Sequence, residues 1–235
     1  MKNILLASTS SLFGEEYLAY LKPEIELLFQ QADEIIFIPY ARPGGLTHDD
    51  YTAKAVSFFE TINIKVKGLH TFDDQKMAIR QAKGFFTGGG NTFLLVKQLH
   101  ELDLMAELKD AAESGKPYLG TSAGSNIGGI NMQNTNDMPI VYPPDFRTMG
   151  LINFNINAHY LDPDSGLKHN GETRETRIKE FHVFNSTPVA GLREGSWIRV
   201  KEGKVTTEGS HSTRIFLPGQ EAAELEPGSA MDHLQ

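Results

Sequence analysis

The sequence predicts an α/β fold: a doubly wound, mostly parallel sheet with helices on both faces and an antiparallel extension near the C terminus. Three observations predict it. Between Asn3 and Thr121, short continuous apolar runs alternate with stretches of helical period, the pattern of strands buried on both faces and joined by crossover helices. Two polar, glycine-rich clusters at residues 88–91 and 120–126 each follow such a run, and open α/β sheets bind ligands at those strand ends. Beyond Trp197, short strand-like runs separated by glycine-containing turns replace the helical stretches.

The elements follow in order. Residues 4–7 (ILLA) form a first buried strand, and residues 15–30 have helical period, with Pro23 at a turn or kink. The run at 35–38 stops at Pro39. Residues 49–62 read as a helix, 64–69 as a strand and 73–82 as a short helix. The strand at 85–87 runs into Gly88, Gly89 and Gly90, residues 92–114 read as one long helix, and 117–121 as the next strand. Residues 131–146 are rich in Asn, Asp and Pro, the composition of a long loop. Three strands follow, at 197–200, 204–207 and 213–217. The tail after Glu226 has little apolar content and is expected to fray. The chain reads as one domain over residues 1–235.

Composition narrows the function. Acidic residues outnumber basic ones by 30 to 22, and the net charge of −8 argues against nucleic-acid binding, which needs clustered positive charge. There are no cysteines, so disulfides, thiolate metal sites and a cysteine nucleophile are excluded. The apolar run at the N terminus is too short for a secretory signal, and no run approaches the roughly 20 residues that span a bilayer. A cytoplasmic protein without membrane partners is expected. Its oligomeric state, monomer or homodimer, stays open.

The segment 120–124, GTSAG, fits the G-x-S-x-G nucleophile elbow, with a strand before it and a small-residue helix start after it. Such a turn pushes the Ser122 hydroxyl out of the sheet, and the Ala123 N–H at the helix start faces a developing oxyanion. The plain alternative is a small-residue turn without chemistry. Residues 87–91, TGGGN, expose backbone N–H groups after another strand. A dinucleotide fingerprint would need a third glycine where Phe93 stands, so the phosphate reading is weak. The glycine run reads better as the second arm of an oxyanion hole, against the alternative of a tight turn.

A serine nucleophile needs a base. Among eight histidines, His159 follows the strand-like residues 154–157 and falls at the rim of the sheet. A carboxylate must hold its imidazole. Asp137 is one candidate, with an Asx turn before Pro139 as its plain alternative. Asp162 and Asp164 are rivals that read as turn residues. Spacing alone does not select among them.

At this point the segments FTGGGNTF (86–93), GTSAGSN (120–126), TNDMPIV (135–141), NAHY (157–160) and GETRETRI (171–178) resemble the peptidase E family. These are α-aspartyl dipeptidases of the class I glutamine-amidotransferase-like superfamily. The resemblance spans nearly the whole chain. It implies Ser122 as nucleophile, His159 as base, Asp137 as its orienter, and an oxyanion hole at Gly89, Gly90 and Ala123. It also implies a small peptide substrate with an N-terminal aspartate and no metal or cofactor. Two positions depart from the family pattern, Ala158 where a proline is expected and Thr121 where a tryptophan is expected. An aspartyl side chain calls for an arginine fork, and Arg174 is the candidate, against the alternative of a surface ion pair on its helix. Glu194 is a weaker candidate for the substrate ammonium, and Asn91 for a hydrogen bond beside the oxyanion hole. The alternatives in the same fold are cleavage of β-aspartyl-arginine peptides, as in cyanophycinases, and a small-molecule binder without catalysis. Glutamine amidotransfer is excluded by the missing cysteine.

Overall fold

A computed structural model describes residues 1–163 and 171–234. Its main sheet has seven strands: β1 (Asn3–Ala7), β2 (Glu34–Ile38), β3 (Lys65–Gly68), β4 (Phe85–Thr87), β5 (Tyr118–Thr121), β8 (Ser196–Lys201) and β9 (Lys204–Gly209), in the order β3-β2-β4-β5-β1-β8-β9. The first five in that order run parallel. The inner strands β1, β2, β4 and β5 are the continuous apolar runs of the sequence, because helices cover both of their faces, whereas the edge strand β3 exposes Lys65 and Lys67. β8 and β9 extend the sheet antiparallel.

Helices split between the faces. On one side, α4 (Thr92–Glu101), α5 (Met105–Glu113) and α6 (Ala123–Asn126) pack Leu95, Leu99, Leu108 and Ile127 against Ile4, Leu6 and Ile36. On the other, α1 (Lys22–Leu28) and α2 (His48–Glu60) pack Ile25, Tyr51, Ala55 and Phe59 against Leu5, Phe37 and Phe86. The strands alternate between these two cores with period two. α3 (Gln75–Gln81) follows β3. Among the described residues, no helix is long and apolar enough to cross a membrane.

Four expectations are corrected. The helix read at 15–30 is only α1, because Pro23 fits the first turn of a helix and not its interior. The helix read at 92–114 is two, since Asp103 turns left-handed at φ 55° between α4 and α5. The strand near 213 does not join the main sheet. β6 (Asn155–Ala158), β7 (Val189–Leu192), β10 (Thr213–Phe216) and β11 (Ala223–Leu225) form a second sheet in the order β11-β10-β7-β6. Finally, the tail folds back along β9: the Met231 N–H donates to the Val205 carbonyl at 2.7 Å, and the Met231 side chain is fully buried. A single methionine and Leu234 supply the apolar contact that the tail's composition did not announce.

Candidate active site

The C-terminal ends of β1, β4 and β5 meet at Ser122. The serine has φ 53° and ψ −113°, a conformation that costs a non-glycine residue about 1–3 kcal/mol. Its surroundings hold it there. The Ser122 N–H donates to the Ala7 carbonyl at 3.0 Å. The buried Ser125 hydroxyl lies 2.6 Å from the Ala7 carbonyl and 2.8 Å from that of Gly120, shared between the two strands. The Tyr118 hydroxyl donates to the Gly124 carbonyl at 2.9 Å. Gly124 is required because a Cβ there would run into the Thr87 carbonyl oxygen.

The glycine run after β4 lies directly beside the serine. A Cβ at Gly89 would stand 3.0 Å from that of Ser122. Gly90 has φ 149° and is packed on the Ala41 carbonyl, where no side chain fits. Gly88 N–H donates to Ile38 and Asn91 N–H to Ala41. Those of Gly89, Gly90 and Ala123 have no partner among the described residues. Three backbone donors are thus left free on the two loops that meet at the serine, groups of the kind that can stabilise an oxyanion.

His159 follows β6, itself left-handed at φ 54°. Its N–H donates to the Ser8 hydroxyl at 2.9 Å, and that hydroxyl donates to the Leu192 carbonyl at 2.7 Å. Its Nε2 lies 2.9 Å from Ser122 Oγ, and its Nδ1 lies 2.6 Å from Glu194 Oε1. The carboxylate fixes the proton on Nδ1, so Nε2 is left to accept from the serine hydroxyl.

The carboxylate on His159 is therefore Glu194. Asp137 stands elsewhere: its Oδ2 accepts from the Thr92 N–H at 2.7 Å, with the Thr135 hydroxyl at 3.3 Å. The N terminus of α4 is a favourable place for an anion, and that helix end draws Asp137 away from the imidazole. Glu194, expected near a substrate ammonium, is instead bonded to the imidazole. The register of the second sheet explains it. β6 and β7 run parallel with Ala158 opposite Leu192, so His159 and the turn after β7 leave the sheet side by side. Nothing in the local sequence of Glu194 announces that pairing.

The remaining candidates separate clearly. Both polar groups of Asn91 are engaged, Oδ1 accepting from the Leu94 N–H at 3.0 Å and Nδ2 donating to the Met138 carbonyl at 2.9 Å. It caps α4 and ties down the loop that carries Asp137, while its second Nδ2 hydrogen stays free to donate. Asp162 pairs with Arg193 at 2.6 Å, not with His159. Asp164 and His169 lie outside the described residues. Arg174 opens α7 (Arg174–Phe184), half-buried, with its Nε buried and unpartnered. Burial, with Arg177 nearby, holds its guanidinium below the usual arginine range, while the charge of Asp137 opposes this. Among the described residues, no carboxylate forms an ion pair with it.

Two solved structures share the fold: one described as a putative peptidase E protein of Listeria monocytogenes, 20% identical over 89% of this chain and 99% of that one with a TM-score of 0.67, and a peptidase of an acI-B1 actinobacterium, 16% identical over 98% and 96% with a TM-score of 0.71. Among curated proteins, one named probable alpha-aspartyl dipeptidase from Drosophila melanogaster is 41% identical over 96% of this chain and 94% of its own length. A protein named Peptidase E from Streptomyces coelicolor is 41% identical over 99% and 94%. The profile of peptidase family S51 matches residues 4–208. With a match of that length and relatives of that identity along almost the whole chain, the protein belongs to peptidase family S51 and is a peptidase.

Proposed function

We propose that the protein is a serine dipeptidase that hydrolyses Asp-Xaa dipeptides with a free N-terminal aspartate. The observation that carries the reading is the hydrogen-bonded line from Ser122 Oγ through His159 to Glu194 beside three unpaired backbone donors. In the reaction, His159 Nε2 takes the Ser122 proton as Oγ attacks the peptide carbon. The N–H groups of Gly89, Gly90 and Ala123 stabilise the oxyanion. The imidazolium, held by Glu194, returns its proton to the leaving amine, and water then attacks the aspartyl-serine ester by the same route.

Two features support aspartate at the acyl position. The relatives named above include an alpha-aspartyl dipeptidase. Arg174 has an unpaired Nε and feels the charge of Asp137, which lies at the N terminus of the helix that follows the oxyanion glycines. In this reading the guanidinium receives the substrate β-carboxylate in the fork geometry that a lysine lacks, and Asp137 faces the substrate ammonium. The reading also places the enzyme in the cytoplasm, which a chain without cysteines tolerates.

The test is hydrolysis of Asp-p-nitroanilide beside the Glu, Asn and Leu analogues, by wild type and Ser122→Ala. Cleavage of the Asp compound alone, abolished in Ser122→Ala, is expected. Equal cleavage of the Leu or Asn compound would sink the aspartyl reading, and activity persisting in Ser122→Ala would sink the mechanism.

A further inference from the structure

Arg42 leaves the end of β2 beside the active-site glycines. The carbonyl of its neighbour Ala41 accepts the Asn91 N–H at 2.7 Å and is the surface on which Gly90 packs. The Arg42 guanidinium carbon lies over the Tyr51 ring, 4.9 Å from its centre. The Tyr51 hydroxyl in turn donates to the Gly89 carbonyl at 3.0 Å. A single buried ring therefore separates this guanidinium from the loop that adjoins Ser122. Arg42 is half-buried, its Nε is buried without a hydrogen-bond partner, and no carboxylate pairs with it among the described residues. A buried guanidinium nitrogen ordinarily finds an acceptor. It bonds the Tyr51 hydroxyl, but like Arg174 it has no carboxylate partner among the described residues.

The groups that act on the two arginines, Asp137 on Arg174 and the Tyr51 ring on Arg42, belong to opposite faces of the sheet. Asp137, whose charge acts on Arg174, caps α4, and α4 packs in the same core as Ala123 and Ile127. Tyr51, under Arg42, belongs to the core on the other face, with Phe37 and Phe86. A peptide whose scissile carbonyl oxygen points at the Gly89 and Gly90 N–H groups sends its acyl residue to one side of that carbonyl and its leaving residue to the other. With the acyl aspartate on the Arg174 side, the leaving residue runs toward Arg42.

We propose that Arg42 receives the free α-carboxylate of the leaving residue, so that the site holds a dipeptide by a carboxylate at each end. This rests on the dipeptidase reading above and deepens it. Tyr51 stacks and orients the guanidinium, which presents its outer edge as a fork to a carboxylate. A longer peptide would offer Arg42 a neutral carbonyl in place of the anion. Selection for dipeptides then follows from charge placement beside the nucleophile and needs no moving lid.

The experiment compares Asp-Leu with Asp-Leu-amide, which differs only in lacking the carboxylate charge, using wild type, Arg42→Met and Arg42→Lys, with Asp-p-nitroanilide alongside. Wild type is expected to favour Asp-Leu by about tenfold or more in kcat/KM, chiefly through KM, the scale of a hydrogen bond to a charged group. In Arg42→Met that ratio falls close to unity, and Arg42→Lys, a point charge without the fork, falls between. A wild-type ratio near unity overturns the proposal, and this comparison stands even if Arg42→Met does not fold. Arg42→Met lowering both substrates in parallel also overturns it, as does a loss of preference for Asp- over Asn-p-nitroanilide, which would put Arg42 on the acyl side. If wild type cleaves none of the three compounds, the dipeptidase reading fails and this proposal with it. If it cleaves all three without discrimination, only the role of Arg42 fails.

Discussion

The strain at Ser122 is held by neighbours with no slack, and that makes residue-scale predictions sharp. Gly124→Ala sets a methyl group against the Thr87 carbonyl, so the elbow must shift. A stability loss of about 1–3 kcal/mol is expected, with hydrolysis lost out of proportion, checked by thermal melts and Asp-p-nitroanilide turnover. Glu194 and Asp137 can be told apart. Glu194→Gln still fills the space but cannot hold an imidazolium, so kcat should drop by about 10²–10⁴ with KM little changed. Asp137→Asn keeps an acceptor for the Thr92 N–H while removing a charge near Arg174, so its effect should fall mainly on KM. If Asp137→Asn cost more in kcat than Glu194→Gln, the assignment of the two carboxylates would be reversed. The sequence made Ser122 and the glycine donors legible because a strained turn and a close backbone approach each demand particular small residues. It made His159 readable only through its neighbours and a family likeness. Glu194 was legible only as a substrate contact, because its partnership with His159 comes from the pairing of β6 with β7, which joins residues 35 positions apart in the chain.

At the scale of elements, the position of α7 matters most, since its first residue is Arg174. One chain of ion pairs ties it to the rest of the site. Glu175 pairs with Arg214 at 3.0 Å, Arg214 with Glu224 at 2.9 Å, Glu224 with Arg193 at 2.9 Å, and Arg193 with Asp162 at 2.6 Å. Glu175 follows Arg174, Arg193 precedes Glu194, and Asp162 lies just past His159, so the chain passes beside three members of the site. Arg214→Leu should loosen the start of α7 and raise KM for aspartyl substrates several-fold with a smaller change in kcat, read from steady-state kinetics. A parallel fall in kcat for all substrates would argue for general damage instead. The hydrogen bond from Arg193, with smaller contributions from Ser212 and Arg214, pushes the Glu224 carboxyl down to about 2 from its ordinary 4.5, against the opposing effect of burial. A depressed carboxylate stabilises the fold while ionised. That stabilisation is complete above the ordinary carboxylate range and disappears as pH falls from about 4.5 towards 2. Melting temperature should therefore drop across that window in wild type and drop less in an Arg193→Leu, Arg214→Leu double variant. Element boundaries were partly hidden in the sequence. Residues 92–114 keep helical period straight through Leu102 and Asp103, so periodicity joined what a left-handed residue divides.

Across the whole molecule, the parallel half was legible because both of its faces are covered and its inner strands are apolar throughout. The division of the C-terminal strands between two sheets was not. β8 and β10 have the same short, mixed character, and only the long-range pairing of β6 with β7 opens a second sheet for β10. The returning tail completes the core under β9. Removing residues 228–235 would expose Val205 and delete Met231 and Leu234, which are 0% and 6% exposed. A loss of about 2–4 kcal/mol is expected, measured by urea denaturation, whereas an unchanged midpoint would mean that the tail contributes nothing. The same contacts bear on solubility. Besides burying apolar surface, the tail occupies the outer edge of β9, where Ala230 bridges Thr206 and Ser229 accepts the Thr207 N–H at 3.1 Å. The opposite edge, β3, stays open but carries exposed Lys65 and, in an ion pair with Glu34, Lys67. One edge is capped and the other is charged, two ways of keeping a sheet from adding strands from a neighbouring molecule. A truncated chain would lose the cap alone, so its first symptom on storage should be time-dependent light scattering and thioflavin-positive assembly that begin while the protein is still folded.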